Sequence, residues 1–161
     1  MKSIQTIWNH PLYQEYYRKL QEAEKERIFC RHDMAHFLDV ARIAWIRNLE
    51  QELGFRREVV YAAALLHDIG KYRQYAEGIP HEQVSADLAK QILRAVQDDF
   101  TQAETEMILL AIRGHRKLRE DAGVLESLLY DSDKKSRSCF ACATERECDW
   151  SREKKNREID I

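Results

Sequence analysis

The amino-acid sequence contains little glycine and little proline, with five and two residues in a chain of 161. It also lacks a dominant charge sign, because 26 basic and 28 acidic side chains give a formal net charge of -2. No overall positive field therefore exists to hold nucleic acid non-specifically. Charged residues make up 34% and hydrophobic residues 44%, a balance that favours a helical, compact protein of one domain.

Long hydrophobic runs are absent as well. No apolar segment approaches the length that spans a bilayer, and the first residues lack the apolar core of a signal peptide. These features predict an intracellular, cytoplasmic protein without membrane or nucleic-acid partners. The sequence leaves open whether the protein forms a homodimer.

Cysteine is scarce, with four residues in the chain. In an intracellular protein they are expected to be thiols or metal ligands rather than disulfides. Cys139 and Cys142 form a CxxC pair, Cys148 follows six residues later, and Cys30 stands far upstream. Four thiolates can hold a structural zinc ion or an iron–sulfur cluster. A zinc ribbon usually has two CxxC pairs, so a redox pair and unrelated buried thiols remain alternatives.

Hydrophobic periodicity and capping residues predict a series of helices. The first predicted segments are one or two helices over 4–27 with Pro11 at a helix start, a helix capped by Asp33 that runs to about Leu53, and a helix over 57–68. A loop is predicted over 72–80. After it come a helix from His81, a helix after the capping box at Thr101 to Glu104, a helix over 124–133 and a mixed-charge helix over 152–157. The tyrosines at 13, 16 and 17 are expected to pack in the core, with a role in a ligand cleft as the alternative.

The segment Tyr61–Leu66 is apolar on all sides, which predicts a helix buried all round. His67 and Asp68 follow it directly, and Gly70 is predicted to end the helix. An imidazole and a carboxylate are costly to bury without partners. A divalent metal ion would satisfy both groups, since both are good ligands.

His67-Asp68, followed by Ile-Gly-Lys71, resembles the signature doublet of the HD superfamily of metal-dependent phosphohydrolases. Two further patterns are similar to HD proteins: His36 lies four residues before a Val-Ala pair, and Asp133 lies between a small residue and a lysine. The resemblance covers residues 28–135. It implies an all-α HD-domain helical bundle, preceded by an N-terminal helical segment over 1–27 and followed by a cysteine-containing tail over 136–161 that packs on the core.

The resemblance also implies a set of metal ligands. The simplest HD site holds one ion with His36, His67, Asp68 and Asp133, and Asp131 is the alternative to Asp133 if the register is shifted by two. Dinuclear members add two histidines, which here are His81 and His115, with Asp68 as a bridge. The implied metals are one or two ions of Fe, Mn, Co, Ni or Mg.

The implied chemistry is hydrolysis of a phosphate ester or anhydride by metal-activated hydroxide, with a nucleotide as the expected substrate. Asp68 is expected to bridge the metals or to take the water proton, and Lys71 to bind a phosphate oxygen. Arg116, with Arg113 as a neighbour, is a candidate for a second phosphate, and His32 for a substrate contact. The segments PHEQVSA and AIRGH are most similar to HD hydrolases of bis(nucleosyl) tetraphosphates, but the region of the last ligand differs.

Two other functions use the same residues. HD-type di-iron oxygenases employ four histidines and two aspartates to activate dioxygen, and a lysine near the doublet does not distinguish them. A non-catalytic nucleotide sensor, with the cysteines as a redox or metal switch, is the other alternative. The complete ligand set argues against the sensor, because a binding module has no need of hydroxide-generating geometry.

Overall fold

The computed structural model describes residues 1–159, and its regular structure in that range is helical throughout. It contains eight α-helices: α1 (Lys2–Asn9), α2 (Pro11–Ala23), α3 (Met34–Glu50), α4 (Arg57–Leu66), α5 (Lys71–Glu77), α6 (His81–Leu93), α7 (Gln102–Gly114) and α8 (Val124–Lys135). Short 3-10 turns lie at Arg94–Val96, Cys139–Ala141 and Arg152–Lys154. The all-α, single-domain prediction is confirmed. Within residues 1–159, none of the helices is both long and apolar enough to cross a membrane.

Helix α4 is the centre of the bundle. Seven of its ten residues are buried, and it contacts α1, α3, α6, α7 and α8. This position follows from its sequence, because a helix that is apolar on every face has no side that is stable in water. The residues that follow α4 are therefore delivered into the interior between the surrounding helices.

Helix α5 contradicts the predicted loop over 72–80. The chain is helical from Lys71 to Glu77 and turns only at Gly78, which adopts a left-handed φ of 72° and donates its N–H to Gln74. The segment contains no proline or glycine before Gly78, and Arg73 forms an i,i+4 ion pair with Glu77. The prediction gave too much weight to the Gly and Pro at the end of the segment.

Gly70 was predicted to end the central helix, but α4 ends at Leu66 and Gly70 directly precedes α5. Its φ is -84°, which any residue adopts, so its backbone conformation does not require glycine. A Cβ at this position would lie 2.5 Å from the backbone nitrogen of Ser85 in α6. Gly70 is needed because α6 packs directly against the backbone here, and Ser85 Oγ accepts a hydrogen bond from its N–H.

The predicted helix over 152–157 is reduced to the 3-10 turn Arg152–Lys154. Lys155 is extended, and Asn156 is buried with its side-chain amide donating to the carbonyl of Lys135. This tertiary contact draws the chain back to the end of α8 and prevents a longer helix.

The tyrosines of α2 pack against the core. Tyr13 is fully buried, and its hydroxyl donates to the carbonyl of Leu65 in α4. Its ring meets Trp8 edge-on and stacks beside Tyr17. Tyr16 and Tyr17 are partly buried against the same core, as predicted.

Candidate metal centre

The six predicted ligands come from five parts of the bundle and converge at one place. None of them is more than 6% exposed. They are His36 in α3, His67 and Asp68 after α4, His81 at the start of α6, His115 after α7 and Asp133 in α8. Residues separated by almost one hundred positions in sequence thus meet because the helices that carry them face one another.

One group of four ligands lies on the α3 and α8 side of the centre. Nitrogen and oxygen atoms of His36, His67, Asp68 and Asp133 all lie within 4.8 Å of one another. His36 Nε2 is 3.6 Å from Asp68 Oδ2 and 3.5 Å from Asp133 Oδ1. His67 Nε2 is 3.1 Å and 3.7 Å from the same two oxygens. These separations leave room for a cation among the four atoms.

A second group lies on the α6 and α7 side and shares Asp68. Asp68 Oδ1 is 3.0 Å from His81 Nε2 and 3.3 Å from His115 Nε2. The two histidine Nε2 atoms are 3.1 Å apart. One carboxylate oxygen of Asp68 thus faces each group, which is the arrangement expected of a ligand that bridges two ions.

The four histidines share a second feature, which fixes their tautomers: Nδ1 of each ring contacts an oxygen outside the two groups. The contacts are His36 with Ser136 Oγ at 3.1 Å, His67 with the Ala64 carbonyl at 2.6 Å, His81 with Gln74 Oε1, and His115 with the Ile112 carbonyl at 2.6 Å. A ring that donates from Nδ1 to a carbonyl oxygen carries its lone pair on Nε2. In this tautomer the Nε2 atoms face Asp68, and those of His36 and His67 also face Asp133. Such Nδ1 partners are the usual support of metal-binding histidines.

The buried polar atoms of this centre need a positively charged partner. His67 Nε2 and Asp68 Oδ1 are buried without a hydrogen-bond partner, which is costly unless a cation fills the space. Burial opposes protonation of His67, but Asp68 and Asp133 outweigh it and raise the pKa of His67 to about 10. Burial lowers the pKa of His36 to about 3 and of His81 to about 4. The residues present fit one or two divalent ions.

His32 lies beside the ligands rather than among them. Its Nε2 is 3.5 Å from Asp68 Oδ2, and its Nδ1 is 2.5 Å from Glu24 Oε1. Glu24 is 2% exposed and also accepts hydrogen bonds from the His32 backbone N–H and the Tyr75 hydroxyl. Burial opposes ionisation of Glu24, but these bonds outweigh it and lower its pKa to about 2. Glu24 therefore holds the His32 ring in one orientation towards Asp68.

A cavity of about 510 Å³ opens above the ligands. Six basic side chains line it: Arg27, Lys71, Arg116, Lys134, Arg137 and Lys154. Among residues 1–159, the acidic residues that line it are Asp68, Asp133 and Asp149. Burial lowers the pKa of Lys71, while Arg116 is about half exposed and pairs with Glu82 at 3.5 Å. The cavity therefore presents excess positive charge to whatever enters it.

Other predicted residues lie elsewhere. The Asp131 side chain is 48% exposed and faces Arg47 at 3.8 Å, so it lies outside the two ligand groups. Arg113 is exposed and is not among the residues that line the cavity. Cys30, Cys139, Cys142 and Cys148 surround a separate small cavity.

Sequence reasoning missed several residues at this site. They are Glu24, Gln74, Tyr75, Arg137 and Trp150. Glu24 follows a helix whose polar residues look solvent-exposed, and Gln74 and Tyr75 were assigned to a loop. The signal that was available is helical spacing: in α5, Lys71, Gln74 and Tyr75 share one face.

Comparison with known proteins agrees with the geometry. The HD domain family matches residues 34–150, a range that includes part of the cysteine-containing tail. A protein of Clostridium beijerinckii, named only as an uncharacterized protein, is 43% identical over 159 residues, covering 99% of each chain. The crystal structure of a predicted HD superfamily hydrolase from an uncultured Thermotogales bacterium has a TM-score of 0.63 at 23% identity, covering 88% of this chain and 80% of that one. The latter likeness establishes the fold, and with the family match over most of the sequence the chain belongs to the HD domain family.

Proposed function

We propose that this protein is a metal-dependent phosphohydrolase that cleaves a phosphate ester or anhydride of a nucleotide. The observation that carries the proposal is the position of Asp68, whose two carboxylate oxygens face two ligand groups on the floor of a cavity lined by basic side chains. Phosphoryl transfer depends on positioning and on neutralising charge at the phosphate oxygens. This site offers both.

The residues of the chain have distinct roles in this reaction. His36, His67, His81, His115, Asp68 and Asp133 would hold the metal, which supplies Lewis acidity and lowers the pKa of coordinated water. Asp68 fixes the relative position of the two groups. His32 Nε2, which lies 3.5 Å from Asp68 Oδ2, is placed to give or take a proton beside the reacting phosphate, and Glu24 fixes its ring.

The basic side chains of the cavity favour a polyanionic substrate. Lys71 and Arg137 are largely buried within the lining, and Arg116 stands at its edge. Charge-assisted hydrogen bonds from such groups bind phosphate oxygens more strongly than neutral donors do. Lys134 has a structural role. Its Nζ donates to the His115 carbonyl and to Asp133 Oδ2 at 2.8 Å each, which links these two residues.

Trp150 supports the assignment of a nucleotide. Its half-buried ring lines the same cavity as the six basic residues. An indole next to a phosphate-binding surface offers a face on which a purine or pyrimidine base stacks. A sugar phosphate without a base would leave this ring without a partner.

The experiment is a phosphate-release assay on a panel of nucleoside mono-, di- and triphosphates and bis(nucleosyl) polyphosphates. The metal-free protein is loaded separately with Mn, Fe, Co, Ni and Mg. We expect metal-dependent turnover that is abolished by chelation and by the substitutions His67→Ala and Asp68→Ala. Turnover that survives either treatment would refute the proposal.

Oxygen consumption by the iron-loaded protein is measured in parallel. Substrate-dependent dioxygen uptake without phosphate release would instead assign a di-iron oxygenase. Tight nucleotide binding without turnover under any metal would assign a sensor. Arg113→Gln is the control for the His67→Ala and Asp68→Ala variants. Because Arg113 is exposed, this substitution should leave turnover unchanged.

A further inference from the structure

The four cysteines of the chain surround one small cavity, although Cys30 is more than one hundred residues from the others in sequence. The cavity has a volume of about 20 Å³ and lies between the segment before α3 and the C-terminal tail. All four side chains are free thiols. Each of the other three interacts electrostatically with Cys139. The fold thus collects every thiol of the protein at a site distinct from the HD centre.

The local backbone brings the tail thiols to this cavity. Cys139 begins a 3-10 turn, and the Cys142 N–H donates to the Cys139 carbonyl at 3.3 Å. This tight turn keeps the two residues of the CxxC pair next to each other. Thr144 Oγ1 then donates to the Ile28 carbonyl at 3.3 Å, which holds the tail against the segment that contains Cys30.

The tail has no hydrophobic core of its own to account for its defined position. Between residues 136 and 159 the buried side chains are those of Arg137, Cys139 and Asn156. Phe140, its largest apolar residue apart from Trp150, is 46% exposed. Ordering an irregular segment costs conformational entropy at every residue, and short segments without a core generally need a covalent or metal link.

We propose that Cys30, Cys139, Cys142 and Cys148 bind a structural zinc ion that fastens the tail to the core. Four thiolates in tetrahedral arrangement are a common structural zinc site. Binding releases the four thiol protons to solvent as the thiolates form. Lys155 and Glu145 also line this cavity, where they form an ion pair at 3.1 Å.

The geometry also limits the ligand and its mode of binding. A cavity of about 20 Å³ suits a single ion. Among residues 1–159, no three of the sulfur atoms lie within 4.8 Å of one another, whereas zinc–sulfur bonds of about 2.3 Å require sulfur separations of about 3.8 Å. The thiol side chains therefore rotate inward when the ion binds.

The zinc site would set the wall of the HD cavity. Arg137 lies two residues before Cys139, and Trp150 lies two residues after Cys148. Both line the cavity above the HD ligands. An ion bound by the cysteines between these two residues in sequence would keep both the Arg137 side chain and the Trp150 ring at the wall of that cavity. This role is independent of the reaction catalysed at the HD centre.

The experiment measures zinc in the full-length protein after zinc loading and removal of weakly bound metal. The double variant His67→Ala/Asp68→Ala removes two of the six HD ligands, including Asp68, which both groups share, and should retain one zinc per chain. Adding Cys139→Ser or Cys142→Ser to that double variant should abolish zinc binding. Phe140→Ala, within the same turn, is the matched control and should keep the ion. X-ray absorption at the zinc edge should show four sulfur neighbours at about 2.3 Å.

A second measurement does not depend on whether the serine variants fold. Titration of the native protein with a mercurial should release one tightly bound zinc as the four thiols react. Cobalt loading should give the thiolate-to-cobalt charge-transfer bands of a tetrahedral sulfur site. A disulfide in the protein isolated under reducing conditions, an iron–sulfur absorption spectrum, or zinc retention by both cysteine variants would overturn the proposal.

Discussion

The Arg137 guanidinium donates from Nη2 to Nε2 of His36 over 3.0 Å. A second donor, Nη1, binds the Arg31 carbonyl at 2.9 Å, while Nε is buried without a partner. Arg137 therefore occupies the atom of His36 that a metal ion needs, and it carries an unused donor beside the cavity. We therefore expect the guanidinium to leave His36 Nε2 when a metal ion binds there.

Replacing Arg137 should have opposite effects on the binding of metal and on the binding of substrate. Arg137→Gln removes a competing donor and a repelling charge, so the Kd for Mn²⁺ should fall about tenfold, equivalent to about 1.4 kcal/mol. The loss of a charge-assisted phosphate contact should raise KM by about the same factor. Calorimetric metal titration and steady-state kinetics measure the two changes. Arg146→Gln, which alters an exposed arginine of the same tail, should change neither, and weaker metal binding by Arg137→Gln would contradict the interpretation.

Asp133 and Asp131 offer a matched test of the last ligand. Asp133 Oδ1 lies 3.5 Å from His36 Nε2, whereas the Asp131 side chain is 48% exposed. Asp133→Asn should reduce metal affinity and kcat by at least about 100-fold, because it alters a proposed metal ligand. Asp131→Asn should leave both within about twofold, as expected for a weak surface ion pair. Metal content and turnover are measured on both proteins, and equal losses would reject the assignment.

Glu24 should make the stability of the protein depend on acid pH. Its pKa is lowered from 4.5 to about 2 by hydrogen bonds from His32 and Tyr75, which outweigh burial. A lowered folded-state pKa contributes stability that is present above pH 4.5 and lost as pH falls towards about 2. The difference corresponds to about 3 kcal/mol.

Denaturant unfolding at pH 7 and at pH 3 measures this contribution. Glu24→Gln should be less stable than the native protein at pH 7, and the gap should narrow at pH 3. Glu22→Gln, at an exposed position of α2, should follow the native protein at both values. A gap that stays constant between the two pH values would show that the hydrogen bonds do not favour the carboxylate.

Gly70 should be needed for the close packing of α6 against its backbone. The substitution Gly70→Ala tests this. The new Cβ would lie 2.5 Å from Ser85 N and 2.8 Å from Val84 Cβ, so α6 has to move away. We expect a loss of about 1–3 kcal/mol in unfolding free energy and weaker metal binding by His81, which begins α6. Gly123→Ala meets nothing within 4 Å and should stay within about 0.5 kcal/mol. Thermal unfolding and metal content give the comparison.

Local sequence signals predicted those parts of the fold that depend on neighbours in the chain. The capping box at Thr101 and Glu104 is present as expected, with both reciprocal hydrogen bonds. The apolar run before His67 correctly predicted the buried helix α4, because this signal is also contained within a few turns of the chain. The segment after Gly70 was predicted wrongly, because Gly78 and Pro80 at its end were given more weight than the helix-compatible residues before them and the i,i+4 pair of Arg73 with Glu77.

The sequence by itself determined which side chains are available for a metal centre, because the HD doublet and the flanking histidines and aspartates are recognisable along the chain. Their role as ligands stays a prediction. Only the tertiary structure decided how they are arranged. Three arrangements join residues on different segments. They are the position of Asp68 between two ligand groups, the hydrogen bond by which Glu24 orients His32, and the contact of Arg137 with His36. Such contacts depend on helix packing and on lone-pair direction, and neither is encoded in the spacing of residues along one helix.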